Sequence, residues 1–151
     1  MLRYESVARV GVSDARVIRA EAAALDRDWW RRPLGFEGEE EEHPATLYGR
    51  TSLFYRTRSI SDADDLFMAF SDAAFIVERL AGWSERFNVK WRVRMHDEDW
   101  GAVDPGGPTK PLLEQLRRWA GRVGVFVPGG TWSVPEARRA ELLARHAGRI
   151  R

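Results

Sequence analysis

The sequence predicts an α+β fold, in which about three or four helices pack on a mostly antiparallel sheet of about four to six strands. The first observation behind this prediction is a strict alternation of apolar and polar side chains over residues 89–95. Such alternation is typical of a strand with one buried and one solvated face. The second observation is the helical spacing of apolar side chains over residues 66–80. Strand-like and helix-like segments interleave, and the predicted order is roughly β-α-β-α-β-β-α-β-α.

The N-terminal segment predicts a strand followed by a helix. Leu2–Val12 contains several apolar and β-favouring side chains and is the first predicted strand. Ser13 has the character of an N-cap. Apolar residues at helical spacing then predict a helix over about Asp14–Trp30, which Pro33 and Gly35 terminate.

Residues 31–45 predict a mobile acidic loop. They include four consecutive glutamates, Glu39–Glu42, whose like charges repel, and no apolar period survives among them. A second strand is predicted over Thr46–Thr57, because this segment is rich in Thr and aromatic residues. Gly49 marks either a bulge or a turn that divides this strand into two shorter ones.

Residues 61–80 predict the central helix. Ser61 and the three aspartates that closely follow it supply capping and acidic groups at the helix start. The apolar side chains that recur at steps of three and four are Leu66, Phe70, Ala73, Val77 and Leu80. The helix ends at Gly82 or continues through Trp83 to Phe87.

The alternating strand predicts the first arm of a β-hairpin. Its apolar side chains are Val89, Trp91, Val93 and Met95, and the basic-type side chains between and after them are Lys90, Arg92, Arg94 and His96. The polar run His96–Asp99 predicts the hairpin tip, and Trp100–Asp104 predicts the returning strand. Trp91 is therefore expected to be buried.

The C-terminal part predicts two helices and one strand. Thr109 caps a helix that has Pro111 in its first turn and ends at Gly121. Val123–Val127 is a short apolar run suited to a buried strand. Ser133 caps a last helix. The apolar stripe of that helix is weak and consists of Ala137, Ala140, Leu143 and Ala144.

The composition bounds the class of the protein. A chain of 151 residues with 44% hydrophobic residues suits one core, so residues 1–151 are predicted to form a single globular domain. The absence of cysteine excludes disulfides, thiolate metal sites and cysteine nucleophiles. A formal net charge of +1 gives no global argument for nucleic acid or for a membrane surface. No apolar run has the length of a secretory signal or a membrane span, so a soluble cytoplasmic protein is expected.

The densest collection of metal-ligand side chains lies at His96–Asp99. His96 and Glu98 fall on one side of an extended segment and are the candidates to hold a divalent cation. Their spacing matches no metal motif, and a hairpin tip requires polar side chains in any case. We therefore expect no tight metal site and no cofactor. The chain also contains no recognisable catalytic motif, so no catalytic residue is assigned.

Tryptophan and arginine are the candidates for recognition of a partner. The chain has seven Trp, more than the packing of a domain of this size requires. Trp100 and Trp132 lie at predicted turns, and Arg92 and Arg94 lie on the polar face of the alternating strand. Trp and Arg dominate the energetic hot spots of protein interfaces, so these four side chains are the predicted partner-binding residues.

Three functions remain open from the sequence. The first is a non-enzymatic protein-binding accessory module, such as an inhibitor or an immunity-type partner of another protein. The order of a helix, a W-x-V-x-M strand, a WG turn and an amphipathic helix resembles small bacterial accessory and immunity-type proteins in outline, which favours this class. The second is a nucleic-acid-associated accessory protein that uses an Arg-rich face. The third is an enzyme with an acid-centred site around His96–Asp99. The sequence leaves the oligomeric state open.

Overall fold

The computed structural model describes residues 1–25, 34–39, 42–53, 62–124 and 136–147, and within them it confirms the predicted α+β fold. The described elements, in chain order, are β1 (Leu2–Ser6), α1 (Val12–Ala24), β2 (Tyr48–Thr51), α2 (Asp62–Phe87), β3 (Trp91–Met95), β4 (Glu98–Asp104), β5 (Gly107–Pro108), α3 (Lys110–Arg122) and α4 (Glu136–His146). The five strands form one sheet in the order β2-β1-β3-β4-β5, and every described pair of neighbours is antiparallel.

The alternation that predicted β3 is confirmed. Trp91, Val93 and Met95 are buried, whereas Arg92 and Arg94 are exposed. β1 alternates in the same way, and it is shorter than predicted because its pairing with β3 ends at Ser6. Since β3 lies at the centre of the sheet, this pattern divides the whole sheet into a face that packs on helices and a face that meets solvent.

The predicted hairpin forms, with a tighter tip than expected. Its turn consists of His96 and Asp97 alone, and Glu98 already belongs to β4. His96 has a φ of 54°, the positive φ that the first residue of a two-residue hairpin turn adopts. The prediction that all of residues 96–99 form the tip is therefore wrong by two residues, because the turn is as short as a hairpin allows.

A β-bulge in β4 changes the direction of Trp100. Gly101 pairs with Val93 and Asp99 pairs with Arg94, so Trp100 is an extra residue between two paired positions. In an unbroken register Trp100 would stand opposite Arg94, on the polar face. The bulge instead turns the indole into the core, where it is only 8% exposed.

α2 is the central helix, as predicted, and it is buried along most of its circumference. Phe67, Phe70 and Leu80 are inaccessible to solvent. The helix continues past Gly82 to Phe87. It ends there because Asn88 adopts a left-handed backbone with a φ of 54°, a conformation that Asn tolerates just after a helix.

α1 packs beside the C-terminal part of α2. It begins at Val12 after Gly11, so the predicted cap at Ser13 lies inside the helix, and Ile18 and Ala22 form its buried face. Residues 26–33, which contain the rest of the predicted helix, are outside the described residues. Glu21 joins the two helices: Arg86 donates hydrogen bonds to both of its carboxylate oxygens, and Trp83 Nε1 donates a third. The hydrogen bonds from Arg86 hold the pKa of Glu21 below its usual value.

Part of the predicted acidic loop is anchored on the core. Leu34 is 2% exposed, and the Phe36 ring stacks on Trp91 at 5.6 Å between centroids. The Tyr4 hydroxyl donates a hydrogen bond of 2.7 Å to the Gly35 carbonyl and accepts one of 3.2 Å from the Gly35 N–H. Burial raises the pKa of Tyr4 to about 12, so the phenol stays protonated as a donor. Mobility of the whole segment stays a prediction.

Gly49 lies inside an unbroken strand, so the predicted bulge or turn at this position is wrong. It pairs directly with Tyr4 in the regular register of β1 and β2. A Cβ built at Gly49 would lie 2.2 Å from the Tyr4 ring and 2.3 Å from the Gly35 carbonyl oxygen. Glycine is therefore required here by the close approach of another segment of backbone.

Gly49→Ala is expected to lower the free energy of unfolding by about 1 to 3 kcal/mol, the usual cost of an added methyl group in a packed region. Urea denaturation followed by circular dichroism measures this loss. Gly82→Ala is the matched control, because nothing lies within 4 Å of a Cβ at that helical position. Equal stability of Gly49→Ala and the parent protein would contradict the close packing of Tyr4 against β2.

The C-terminal elements depart from prediction in two ways. Gly107–Pro108, predicted as part of a turn, forms the short edge strand β5. Val123 and Gly124 close α3 instead of opening a strand, and the remainder of the predicted strand is outside the described residues. α3 itself begins after Thr109, as predicted, although the Thr109 hydroxyl accepts a hydrogen bond from the Ala102 N–H and makes none within its own helix.

α4 docks on α2 mainly through polar contacts. Its buried residues are Arg139, Leu142 and His146, which replace the predicted alanine stripe. Arg139 is 1% exposed, lies 3.2 Å from the Asp72 carboxylate and donates a hydrogen bond to the Ser71 hydroxyl. The predicted face is wrong because apolar spacing cannot reveal a charged side chain that is buried against its counter-charge.

Two further contacts hold the ends of α4. His146 Nε2 lies 2.8 Å from an Asp64 carboxylate oxygen, and the Arg138 guanidinium lies 4.4 Å from the centre of the Phe67 ring. Among the described residues, no helix is both long and apolar enough to cross a membrane.

Candidate binding surface on the sheet

The polar face of the sheet carries a row of arginines across three neighbouring strands. Arg3 of β1 pairs in register with Arg50 of β2 on one side and with Arg94 of β3 on the other. Neighbouring strands lie about 4.8 Å apart, so three guanidinium groups share a short span of surface. Like charges directly opposite each other destabilise a sheet. Pairing within the sheet therefore does not by itself favour this arrangement.

Two of these arginines are neutralised by neighbouring acids. Arg3 lies 3.1 Å from the Asp97 carboxylate at the hairpin turn. Arg50 lies 2.6 Å from the Glu37 carboxylate. The acids therefore compensate Arg3, in the middle of the row, and Arg50, at one end, whereas Arg94 lies at the other end.

The central strand keeps two arginines that make no ion pair among the described residues. Arg92 and Arg94 are exposed, and in the described part of the chain neither guanidinium has an ion-pair or hydrogen-bond partner. Asp99 pairs in register with Arg94, but its carboxylate instead accepts a hydrogen bond of 2.9 Å from the Gly101 N–H. The carboxylate opposite Arg94 is thus hydrogen-bonded to the backbone of the bulge and makes no ion pair with Arg94.

A second row lies next to the first. It runs from Tyr48 through Glu5 to Arg92 along the pairs between β2, β1 and β3. Tyr48 is partly buried and is an aromatic side chain on the same face as the arginines. A shallow cavity of about 200 Å³ opens beside Arg92, with Glu5 and Thr46 among its lining residues. We name this surface, formed by Arg3, Glu5, Tyr48, Arg50, Arg92 and Arg94, the arginine face.

The tryptophans of the described residues belong to the core and not to this face. Trp83, Trp91, Trp100 and Trp119 are all buried. Trp132, the second predicted aromatic anchor, is outside the described residues, as are Trp29 and Trp30. The predicted contribution of Trp100 to partner binding stays a prediction, but its indole lies apart from the two arginines with which it was grouped.

His96, Glu98 and Trp100 instead come together at a cavity of about 260 Å³ on the helix side of the hairpin. His96 and Glu98 are exposed at its edge. His96 Nδ1 lies 3.1 Å from the Met1 amino nitrogen. No group of three His, Cys, Asp or Glu residues is placed to hold a metal ion in the part of the chain that the structure describes.

Sequence reasoning identified Arg92 and Arg94 but missed Arg3, Tyr48 and Arg50. Their alternation with buried residues in β1 and β2 carries the signal, because it places them on the polar face. The missing information was the register, which brings residues from distant parts of the chain into one row.

Comparison with family models, with curated proteins and with solved structures finds no match to this chain.

Proposed function

We propose that this chain is a non-enzymatic, cytoplasmic protein-binding accessory module, and that the arginine face is its binding surface. The observation that supports the proposal is the pair of exposed arginines, Arg92 and Arg94, which lie on the central strand of the sheet and make no ion pair among the described residues. Arg is enriched at protein interfaces, where its planar guanidinium binds carboxylates in a bidentate manner. The partner is therefore a protein that presents Asp or Glu side chains.

Acidic residues within and around the arginine face favour a protein partner. Glu5, Glu37 and Asp97 lie among or beside the arginines. A phosphate backbone would be repelled by each of these acids, whereas a protein surface of mixed charge can match both signs. An inhibitor or an immunity-type partner is the corresponding biological role.

Charge reversal at the centre of the face tests this proposal. The partner is a protein that co-purifies with the chain from the source cell. Arg92→Glu and Arg94→Glu are each expected to lower its affinity by about tenfold or more, mainly through faster dissociation. The reason is that an attraction between opposite charges, removed from water in the complex, becomes a repulsion. Surface plasmon resonance with the purified partner measures both rates. Arg117→Glu and Arg118→Glu are matched controls, since both side chains are exposed on α3 and unpaired among the described residues. An equal loss of affinity in the control variants would show that binding depends only on the net charge of the protein and not on the arginine face.

A nucleic-acid-associated function is the second candidate, and Tyr48 is the observation that favours it. Nucleic-acid-binding surfaces combine aromatic side chains with basic ones on one face, and Tyr48 shares the face with Arg92. For this function, the logarithm of affinity for generic DNA or RNA falls linearly with the logarithm of salt concentration, as counterions are released. If the chain binds generic DNA or RNA with this salt dependence, and if Arg94→Glu abolishes the binding, the nucleic-acid function is favoured and the protein-partner proposal is rejected.

A further inference from the structure

We propose that the cavity on the helix side of the hairpin binds a small zwitterion with an apolar body, of the class of aromatic or large aliphatic α-amino acids. The cavity lies between the end of the β3–β4 hairpin, α3 and the start of α2. It is separate from the arginine face, because its lining residues point to the opposite side of the sheet. The proposal therefore stands independently of the proposed function.

The floor of the cavity is apolar and aromatic. It is formed by Trp100 and Trp119, whose rings meet edge to face at 5.9 Å, together with Met95 and Leu66. The ring planes meet at 90° and both indoles are buried, so packing holds them in place in the unbound protein. Such a floor stabilises a flat or branched hydrocarbon group through burial from water.

The rim of the cavity carries one charge of each sign. Arg122 comes from the last turn of α3, and Glu98 comes from the first position of β4. In the described part of the chain neither side chain has an ion-pair partner, so the two groups approach no closer than 4.0 Å. Opposite charges that share a rim without pairing are complementary to a ligand that carries both charges. Gln115 and His96 are further polar residues that line the cavity.

The size of the cavity suits a small ligand. A volume of about 260 Å³ corresponds to roughly nine water molecules at about 30 Å³ each in the liquid. An amino acid with one ring or one branched chain fits within this volume. The carboxylate of such a ligand pairs with Arg122, its ammonium pairs with Glu98, and its side chain lies on the two indoles.

Titration of the full chain with L-phenylalanine tests the assignment. Saturable chemical-shift changes are expected at the indole N–H signals of Trp100 and Trp119, with a dissociation constant on the order of 1 mM or below, as suits a ligand of about twelve non-hydrogen atoms. Glycine lacks the apolar body, 3-phenylpropionate lacks the ammonium and phenethylamine lacks the carboxylate. Each of the three is expected to bind about tenfold more weakly or worse.

Two variants of the rim sharpen the test. Arg122→Gln and Glu98→Gln are each expected to weaken L-phenylalanine binding about tenfold, and both residues are exposed, so the backbone spectrum should otherwise stay unchanged. Arg118→Gln and Glu114→Gln are the matched controls. Both residues are exposed on α3, the helix that carries Arg122, and neither lines the cavity. Absence of saturation would overturn the proposal. Equally tight binding of 3-phenylpropionate, or equal losses in the control variants, would overturn it too.

Discussion

Trp91→Ala is expected to lower the free energy of unfolding by about 3 to 5 kcal/mol, the usual cost of deleting a large aromatic side chain from a core. The Trp91 indole is inaccessible to solvent. It stacks on Phe36 at 5.6 Å and lies 6.3 Å from Trp83, so it joins β3 to α2 and to the anchored segment around residue 36. Its removal leaves a cavity at the point where these three parts meet.

Urea denaturation measures the loss, and two variants control it. Arg92→Ala, the adjacent residue on the exposed face, should change stability by no more than about 0.5 kcal/mol. Trp91→Phe should cost less than Trp91→Ala, because it keeps an aromatic ring and removes an indole N–H that is buried without a hydrogen-bond partner among the described residues. A loss below about 1 kcal/mol for Trp91→Ala would contradict the assignment of the two faces of the sheet.

Arg139→Ala is expected to destabilise the protein by a similar amount, about 3 to 5 kcal/mol. The substitution removes one partner of a buried ion pair and leaves the Asp72 carboxylate, itself 1% exposed, without the guanidinium that lies 3.2 Å away. The cost arises because a buried carboxylate loses its ion-pair partner while it stays removed from water. Thermal and urea denaturation measure it.

Replacement of both Arg139 and Asp72 separates the cost of a buried charge from the loss of the attraction between the two charges. Arg139→Met combined with Asp72→Leu should restore most of the lost stability, because an apolar pair of similar volume avoids the cost of removing charges from water. Arg145→Ala is the control on the same helix. Its side chain is half-exposed, pairs with Glu141 one turn away and lies 3.8 Å from Asp64, so its removal should cost no more than about 1 kcal/mol. A double variant as unstable as Arg139→Ala would show that the ion pair itself stabilises the fold.

Local periodicity was sufficient to predict the sheet's central strand and the central helix. The alternation around Trp91 and the spacing of Phe70 and Leu80 each follow from one buried face, and both are confirmed. Such patterns act over a few residues, so they can be read without knowledge of the partner segments.

Features that depend on distant segments were not predictable in this way. Trp100 is buried because of a bulge set by pairing with β3, and Gly49 is required because residues 4 and 35 approach it. Arg139 is buried because an acid more than sixty residues earlier in the chain compensates it. The arginine face has the same origin, since the sequence reveals the polar side of each strand but not the register between strands.

The row formed by Arg50, Arg3 and Arg94 has a consequence for the energy landscape of the protein. Most local choices in this chain agree with the global fold, which is the condition for a smooth, funnel-shaped landscape. Three cations opposite one another across adjacent strands are an exception. The ion pairs of Arg3 with Asp97 and of Arg50 with Glu37 relieve this local frustration only in part, because Arg94 makes no ion pair in the described part of the chain. In the complex proposed above, a carboxylate of the partner would relieve this frustration at Arg94, so part of the binding free energy would come from electrostatic repulsion that the unbound sheet already carries.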